Sequence, residues 1–214
     1  HGFQTDRTAT DAALLVRRLT ERAAVIREHL FMVSKDCLKC YDRIQKWCMD
    51  LIYRGIELPD MPHKIMIDLL GPAFGWLPTG TREFGIGQGF ILSILHVACY
   101  MDCLQQQIER CPDPVKIKYH QPGEGIELSS TLFVNDHLGI TTTYRGIEAR
   151  SAMTNIFTGK LGTGGVFGAA KSFMMYLGNN DTHYDADMLN DGLSIPRPIR
   201  IVTPGEGFKH LGIY

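Results

Sequence analysis

The clearest periodic pattern is an apolar stripe at helical spacing near the start of the chain. The members of this stripe recur every three or four positions, namely Leu15, Leu19, Ala23, Ile26 and Leu30. This spacing lines one face of an α-helix. Thr8, Thr10 and Asp11 are candidate N-caps just before the stripe. The pattern therefore predicts an amphipathic helix over residues 8–30.

Further strand and helix patterns follow toward residue 109. The apolar run "LFMVS" (30–34) predicts a short buried strand that ends at Lys35-Asp36. Residues 41–54 predict a second helix that stops at Gly55. The inward face of this helix is expected to hold Ile44, Trp47, Cys48 and Leu51. Residues 93–109 predict the clearest helix, with its buried face made of Ile94, Val97, Ala98, Met101, Leu104 and Ile108.

The second half of the chain is richer in strand patterns. "STLFVNDHLGITTT" (130–143) predicts a hairpin with Asn135-Asp136 at its tip, because Asn and Asp tolerate turn dihedrals. A helix is expected at about 145–158, followed by strands at "SFMMYLG" and "FKHLGIY". Strands separated by helices, together with a hairpin, predict an α+β fold: a small, mostly antiparallel sheet with helices packed on one face.

Composition and charge limit the classes of protein that fit. The chain has 214 residues, 44% hydrophobic and 21% charged, which is typical of a globular domain. No apolar run approaches the roughly 20 residues that span a bilayer, and no signal peptide is visible, so we expect an intracellular protein without a membrane partner. Because it begins at His1, we expect a segment of something longer.

The net charge of −1 does not indicate a chain that attracts nucleic acid over its whole surface. The charged residues are, however, unevenly distributed along the sequence. Residues 6–54 carry a cationic excess, and residues 181–191 carry four aspartates. A basic face could follow a phosphate backbone, and a solvated helix face explains it equally well.

The six cysteines allow two interpretations. Cys37 and Cys40, with Cys99 and Cys103, have a spacing that resembles a zinc site, but no histidine lies at ligand spacing from either pair. We favour buried thiols of an intracellular protein.

Two acidic residues stand where strands are predicted to end. Asp36 closes the first strand and Asp136 lies in the hairpin a hundred residues later. In a small sheet the two can lie side by side, and paired carboxylates at strand ends suit Mg²⁺, a hard cation that keeps positions open for substrate phosphates. From spacing alone, two capping aspartates would look the same.

The chain resembles reverse transcriptases, especially those of non-LTR retroelements and group II introns, over nearly its whole length. Six segments carry the resemblance in family order: "HGFQTDRTATDA" (1–12), "SKDCLKCYDRI" (34–44), "GIGQGFILSILHVACYMDCL" (85–104), "LFVNDHLGI" (132–140), "GAAKSFMMYLG" (168–178) and "FKHLGIY" (208–214). It implies a polymerase-palm-like fold with a partial fingers region and no thumb. Residues 1–30 and 56–90 would be fingers-like, and residues 31–55 and 91–214 palm-like.

The resemblance implies a reaction and a set of partners. It implies RNA-directed DNA synthesis, in which deoxynucleoside triphosphates are added to a DNA primer on an RNA template. Two Mg²⁺ ions, held by Asp36 and Asp136, would activate the 3′-hydroxyl and stabilise the pyrophosphate leaving group. Lys171 would approach the triphosphate and protonate the leaving group.

Further positions would contact the nucleotide and the primer. The resemblance implies that Tyr41 lies under the sugar of the incoming nucleotide and clashes with a 2′-hydroxyl. Gln88 and Gly89 would pack against that nucleotide, and Leu211 and Gly212 would contact the primer end. Tyr41 could equally be a core aromatic residue, and the glycines a plain turn before a helix.

Three departures from the family pattern fall at functional positions. Asn135 stands where the family has an aspartate ligand, and its neutral amide offers one carbonyl oxygen. Gly87 stands where the family has an arginine before its glutamine, and Ile94 stands where it has a proline after its serine. We therefore expect weak or absent catalysis in this chain.

Two other functions remain open from the sequence. One is a polymerase-like scaffold or nucleic-acid-binding domain without catalysis, because fold similarity does not by itself grant chemistry. The other is a nucleotide-binding P-loop at "GVFGAAKS" (165–172), which has Ala170 where the second glycine should be and requires a helix to follow.

Overall fold

Six helices and nine strands make up the part of the chain that the structure describes, a computed structural model covering residues 8–38, 40–70, 92–118, 125–158, 163–178, 184–186, 188–189 and 196–206. The helices are α1 (Ala9–Ile26), α2 (Cys40–Arg43), α3 (Lys46–Gly55), α4 (Asp60–Asp68), α5 (Ser93–Glu109) and α6 (Tyr144–Thr158). The strands are β1 (Leu30–Asp36), β2 (Val115–Lys118), β3 (Gly125–Leu128), β4 (Ser130–Phe133), β5 (Asp136–Thr141), β6 (Phe173–Leu177), β7 (Met188–Leu189), β8 (Arg197–Pro198) and β9 (Arg200–Val202).

A five-stranded sheet of order β4-β5-β1-β6-β9 is the centre of the fold. The middle strand, β1, runs antiparallel to both neighbours, β5 and β6, and β9 joins parallel to β6. The strands β2 and β3 pair separately, as do β7 and β8. The predicted α+β fold with a mostly antiparallel sheet is confirmed.

Alternate residues of β1 enter two hydrophobic cores, one on each face of the sheet. Phe31 and Val33 pack with residues of α3, α5 and α6, and this is the larger core. Leu30 and Met32 pack with the apolar stripe of α1, together with Leu138, Ile140 and Met175 of the neighbouring strands. Most helices therefore lie on one face, and α1 covers part of the other.

The first helix begins at the predicted N-cap, Thr8, and ends four residues before its predicted end. Thr8 forms a capping box with Asp11, in which each side chain accepts a hydrogen bond from the other residue's backbone N–H. The helix ends at Ile26 because Arg27 takes the left-handed conformation, with a φ of 55°. Leu30, predicted both as the last residue of the helix and as the first of the strand, begins β1.

The helix predicted over residues 41–54 is wrong in two respects. It is divided into α2 and α3 because Gln45 is extended, with φ −89° and ψ 139°. Trp47 and Leu51, predicted to face inward, are 49% and 59% exposed, whereas Ile44 and Cys48 are buried as predicted. Ile94 on α5 is likewise exposed, although the bounds of that helix match the prediction.

Several elements lie outside the sequence predictions. The helix α4 and the hairpin of β2 and β3 carry no strong periodic signal, because each is short and mostly exposed. The strand predicted at "FKHLGIY" lies outside the described residues. In the ranges that the structure covers, no helix has both the length and the apolar character needed to cross a bilayer. All six cysteines are free thiols, and four are buried.

Gly146 lies where α6 passes close to the end of β5. A β-carbon at this position would collide with Thr141 Oγ1 and would lie 3.1 Å from Arg150 Nη1. We expect Gly146→Ala to lower the free energy of unfolding by about 1–3 kcal/mol, because the packed neighbours must shift. Gly55→Ala is the matched control, since nothing lies within 4 Å of its added carbon. Urea denaturation measures both, and equal stability of Gly146→Ala and the parent would contradict the expectation.

His96 is a buried titratable group in the larger core's helical layer. Its Nδ1 shares a hydrogen bond with Tyr53 Oη, and burial lowers its pKa from 6.5 to about 4. Because the folded state favours the neutral ring, this group does not reduce the free energy of unfolding above pH 6.5. As the pH falls from 6.5 to 4, the unfolded chain binds a proton more readily, and the free energy of unfolding falls by about 3 kcal/mol.

A pH series of denaturation curves tests this dependence. The difference in unfolding free energy between the parent and His96→Gln should shrink by this amount as pH falls from 7 to 4. Parallel pH profiles for the parent and His96→Gln would refute the assignment.

Candidate functional site

Asp36 and Asp136 are direct cross-strand partners in the ladder of β1 and β5. Because opposed residues in an antiparallel pair point to the same face, with β-carbons about 4.5–5.5 Å apart, the two carboxyl groups share one side of the sheet. Both are only partly buried, so the face they share is open to solvent. The two acids, a hundred residues apart along the chain, are brought together by strand register.

The hairpin tip differs from the prediction by one residue. Val134 and Asn135 form the two-residue turn, and Asp136 is already the first residue of β5, paired with Phe133. Val134 has a φ of 57°, a conformation that a β-branched residue rarely takes. The prediction that Asn135-Asp136 forms the tip is therefore wrong, and the ladder fixes Asp136 more firmly than a loop would.

Two nitrogen groups approach the carboxylate of Asp36. Lys171 Nζ lies 3.2 Å from Oδ2, and Asn135 Nδ2 lies 3.5 Å from Oδ1, a long hydrogen bond. Asn135 therefore presents its amide donor to Asp36. Each oxygen of this carboxylate faces an N–H group of the protein.

The position of Lys171 follows from the pairing of β1 with β6. In that register Ser34 opposes Phe173, and continuing it by two residues brings Lys171 beside Asp36. Backbone hydrogen bonds extend the contact, because Gly168 N donates to Asp36 O at 3.0 Å and Leu38 N donates to Val166 O at 2.7 Å. Lys171 ends a short 3₁₀ turn, Ala169–Lys171, held against the end of β1.

Charge and burial act together on Asp136. Burial raises the pKa of its carboxyl, the negative charge of Asp36 raises it further, and the positive charge of Lys171 lowers it. The ammonium of Lys171 thus acts on both carboxylates, by direct contact with Asp36 and at longer range on Asp136.

Of the other predicted site residues, only Tyr41 lies within the described ranges. It is half-buried beside the larger core, and burial raises the pKa of its phenol. This position does not test the predicted role of Tyr41 in binding the nucleotide, which stays a prediction. Gln88 and Gly89, and Leu211 and Gly212, lie outside the described residues, as does Gly87.

A buried polar layer beneath the two acids was not predicted. Lys35 and His137, the neighbours of the acids along β1 and β5, oppose one another and are fully buried on the other face of the sheet. Lys35 Nζ donates to Thr154 Oγ1 at 2.9 Å, and that hydroxyl donates to Arg150 O. The acids are thus anchored to α6 through their neighbours.

Arg150 ties the same layer to two other segments and to its own helix. It is fully buried and donates to the carbonyl oxygens of Ser129, Pro112 and Gly146. Its guanidinium has no carboxylate contact of its own among these bonds. The sequence held a signal for this layer, because Arg150, Thr154 and Thr158 recur every four residues and so share one helix face.

Two carboxylates and one amide gather at this end of the sheet. Asp36 and Asp136 provide two carboxylates on one face, and Asn135 provides an amide where the family pattern has a third. Mg²⁺ is commonly held by one or two carboxylates plus substrate phosphates and water. Within the described ranges no group of three His, Cys, Asp or Glu side chains has the arrangement of a metal site.

The P-loop interpretation of residues 165–172 fails on local structure. A phosphate-cradling loop must open a helix, but Ser172 leads directly into the strand β6.

Comparison with solved structures identifies the class of fold. No protein-family model matches the chain, and comparison with curated proteins returns no match. The apo telomerase of Candida tropicalis, truncated from its C-terminal domain, matches with a TM-score of 0.52 and 13% identity, over 85% of this chain and 40% of that one.

Two telomerases bound to the TWJ fragment of telomeric RNA match similarly. The Candida albicans structure gives a TM-score of 0.55 and 15% identity over 88% of this chain and 34% of that one. The Candida tropicalis structure gives a TM-score of 0.53 and 15% identity over 90% of this chain and 33% of that one. The fold is reverse-transcriptase-like, and the chain spans 33–40% of these proteins' length.

The buried layer gives a prediction about stability. We expect Thr154→Val to lower the free energy of unfolding by about 1–3 kcal/mol, because it removes the hydroxyl that accepts from the buried ammonium of Lys35. Thr158→Val is the control, since its hydroxyl donates only to Thr154 O within α6. Chemical denaturation compares them, and equal losses would contradict a special role for the Lys35 contact.

Proposed function

We propose that this chain is the fingers-palm part of a reverse-transcriptase-like domain that holds an RNA template and a DNA primer and adds deoxynucleotides to the primer. The observation that carries the proposal is the direct pairing of Asp36 with Asp136 in a sheet of this fold, with Lys171 Nζ 3.2 Å from Asp36 Oδ2. The chemistry needs two acids and a cationic group converging on one face, and distant segments of the chain supply them.

The nucleic-acid partners rest on the fold and on the resemblance. Two of the similar telomerase structures contain a fragment of telomeric RNA, which supports an RNA partner here. A DNA primer, deoxynucleoside triphosphates and an origin among non-LTR retroelement or group II intron enzymes follow from the resemblance of the six segments. Contacts to phosphates and stacking, more than base readout, would hold the template and primer.

The chain's own residues divide the work at the site. Asp36 and Asp136 would hold Mg²⁺, which would supply the Lewis-acid activation of the primer hydroxyl. Lys171, whose ammonium lies 3.2 Å from Asp36 Oδ2, would bring positive charge to the phosphate oxygens and would protonate the leaving group. The ring of Tyr41 would exclude a 2′-hydroxyl from the nucleotide.

Catalysis is proposed to be weak because of Asn135. Its amide nitrogen faces Asp36, so it adds a donor where an additional anionic ligand is needed. The same contact favours a second candidate function, a polymerase-like scaffold that binds nucleic acid without transferring nucleotides.

Primer extension on an RNA template with Mg²⁺ or Mn²⁺ distinguishes these functions. We expect the parent chain near background and Asn135→Asp at least about tenfold faster, a gain of about 1.4 kcal/mol or more in transition-state stabilisation. Adding Asp136→Asn to the active variant should abolish extension and serves as its control.

Each remaining outcome has a definite reading. If neither chain extends a primer but both bind the RNA–DNA hybrid, the scaffold function is correct. If neither binds the hybrid while both remain folded by circular dichroism, the proposed nucleic-acid function is wrong. Equal extension by both chains would show that position 135 does not limit catalysis.

A further inference from the structure

The ion pair between Lys171 and Asp36 lies inside the site that would otherwise hold cations. We propose that the Lys171 ammonium takes the place of one of the two divalent cations that the family resemblance implies, so that this site binds one divalent cation. The inference rests on the proposed function, because it assigns the cation number of the same site.

The first support is that the contact follows from the backbone. The segment before β6 is bonded to the end of β1 through Gly168 N to Asp36 O and Leu38 N to Val166 O, and Cys37 and Phe167 form a β-bridge. Lys171 N and Ser172 Oγ both donate to Gly168 O, which closes the turn that presents the lysine. These bonds keep the ammonium near Asp36 although its side chain is 62% exposed.

The second support is the state of the Asp36 carboxylate. A carboxylate that bridges two cations needs an oxygen lone pair for each of them. Here Oδ2 lies 3.2 Å from Lys171 Nζ and Oδ1 lies 3.5 Å from Asn135 Nδ2. The long Asn135 contact is the weaker of the two, so a cation displaces the amide more easily than it displaces the ammonium.

The third support is the charge of the site. Two carboxylates and one ammonium leave a formal charge of −1 on Asp36, Asp136 and Lys171 together. Two divalent cations would bring four positive charges to this site, with Lys171 still beside them. An aspartate at position 135 would add the missing negative charge, and neutralising Lys171 would remove the competing positive one.

Titration of the full chain with Mn²⁺, followed by electron paramagnetic resonance of the free ion, tests the proposal without nucleic acid or catalysis. We expect one Mn²⁺ per parent chain, lost in Asp136→Asn, and still one in Asn135→Asp, where Lys171 keeps its place. The double variant Asn135→Asp, Lys171→Met should bind two per chain. Lys171→Met should tighten Mn²⁺ binding about tenfold. Lys171→Arg, which keeps the charge, should bind like the parent.

Lys116→Met is a matched control for the loss of an exposed, paired lysine, because Lys116 contacts Glu127 at 2.8 Å on a different strand pair. Its Mn²⁺ affinity should equal that of the parent. Two Mn²⁺ or none in the parent would overturn the proposal, and so would unchanged or weaker binding by Lys171→Met. Primer extension reports on the proposed function separately, so a wrong cation number and a wrong function give different results.

Discussion

The antiparallel register of β1 between β5 and β6 is the constraint on which the candidate site depends. It sets Asp36 opposite Asp136 on one side and beside Lys171 on the other. A slip of one residue would turn every side chain of β1 to the opposite face and would scatter the site. The two hydrophobic cores oppose such a slip, because each takes alternate residues of the same strand.

The buried polar layer links this register to the helix behind the sheet. Lys35, directly before Asp36, reaches Thr154 on α6, and Arg150 joins that helix to the segments before β2 and β4. Buried charged groups are costly unless they are hydrogen-bonded, so this layer is stable only in one alignment of helix and strand. The positions of the two acids on one face of the sheet therefore depend on the buried contacts at its other face.

The site combines family-like placement with altered chemistry. The two acids and the lysine converge at one end of the sheet, in a fold shared with telomerase structures at 13–15% identity. Asn135, however, contributes an amide donor, and the site holds one negative charge fewer than the family pattern.

The sequence by itself determined the main helices, the strands β1 and β6 and the hairpin, because apolar periodicity reports which face of an element is buried. It also supplied Asp36, Asp136, Asn135 and Lys171 as candidates through the order of six motifs. It misplaced Trp47 and Leu51, because it took one helical period through Gln45, where the chain is extended and the helix is divided. It also missed Lys35 and Arg150. Only the tertiary structure decided the alignment of strands, the facing of Asn135 and Lys171 toward Asp36, and the anchoring by α6. These depend on contacts between residues far apart in the chain, which local patterns do not encode.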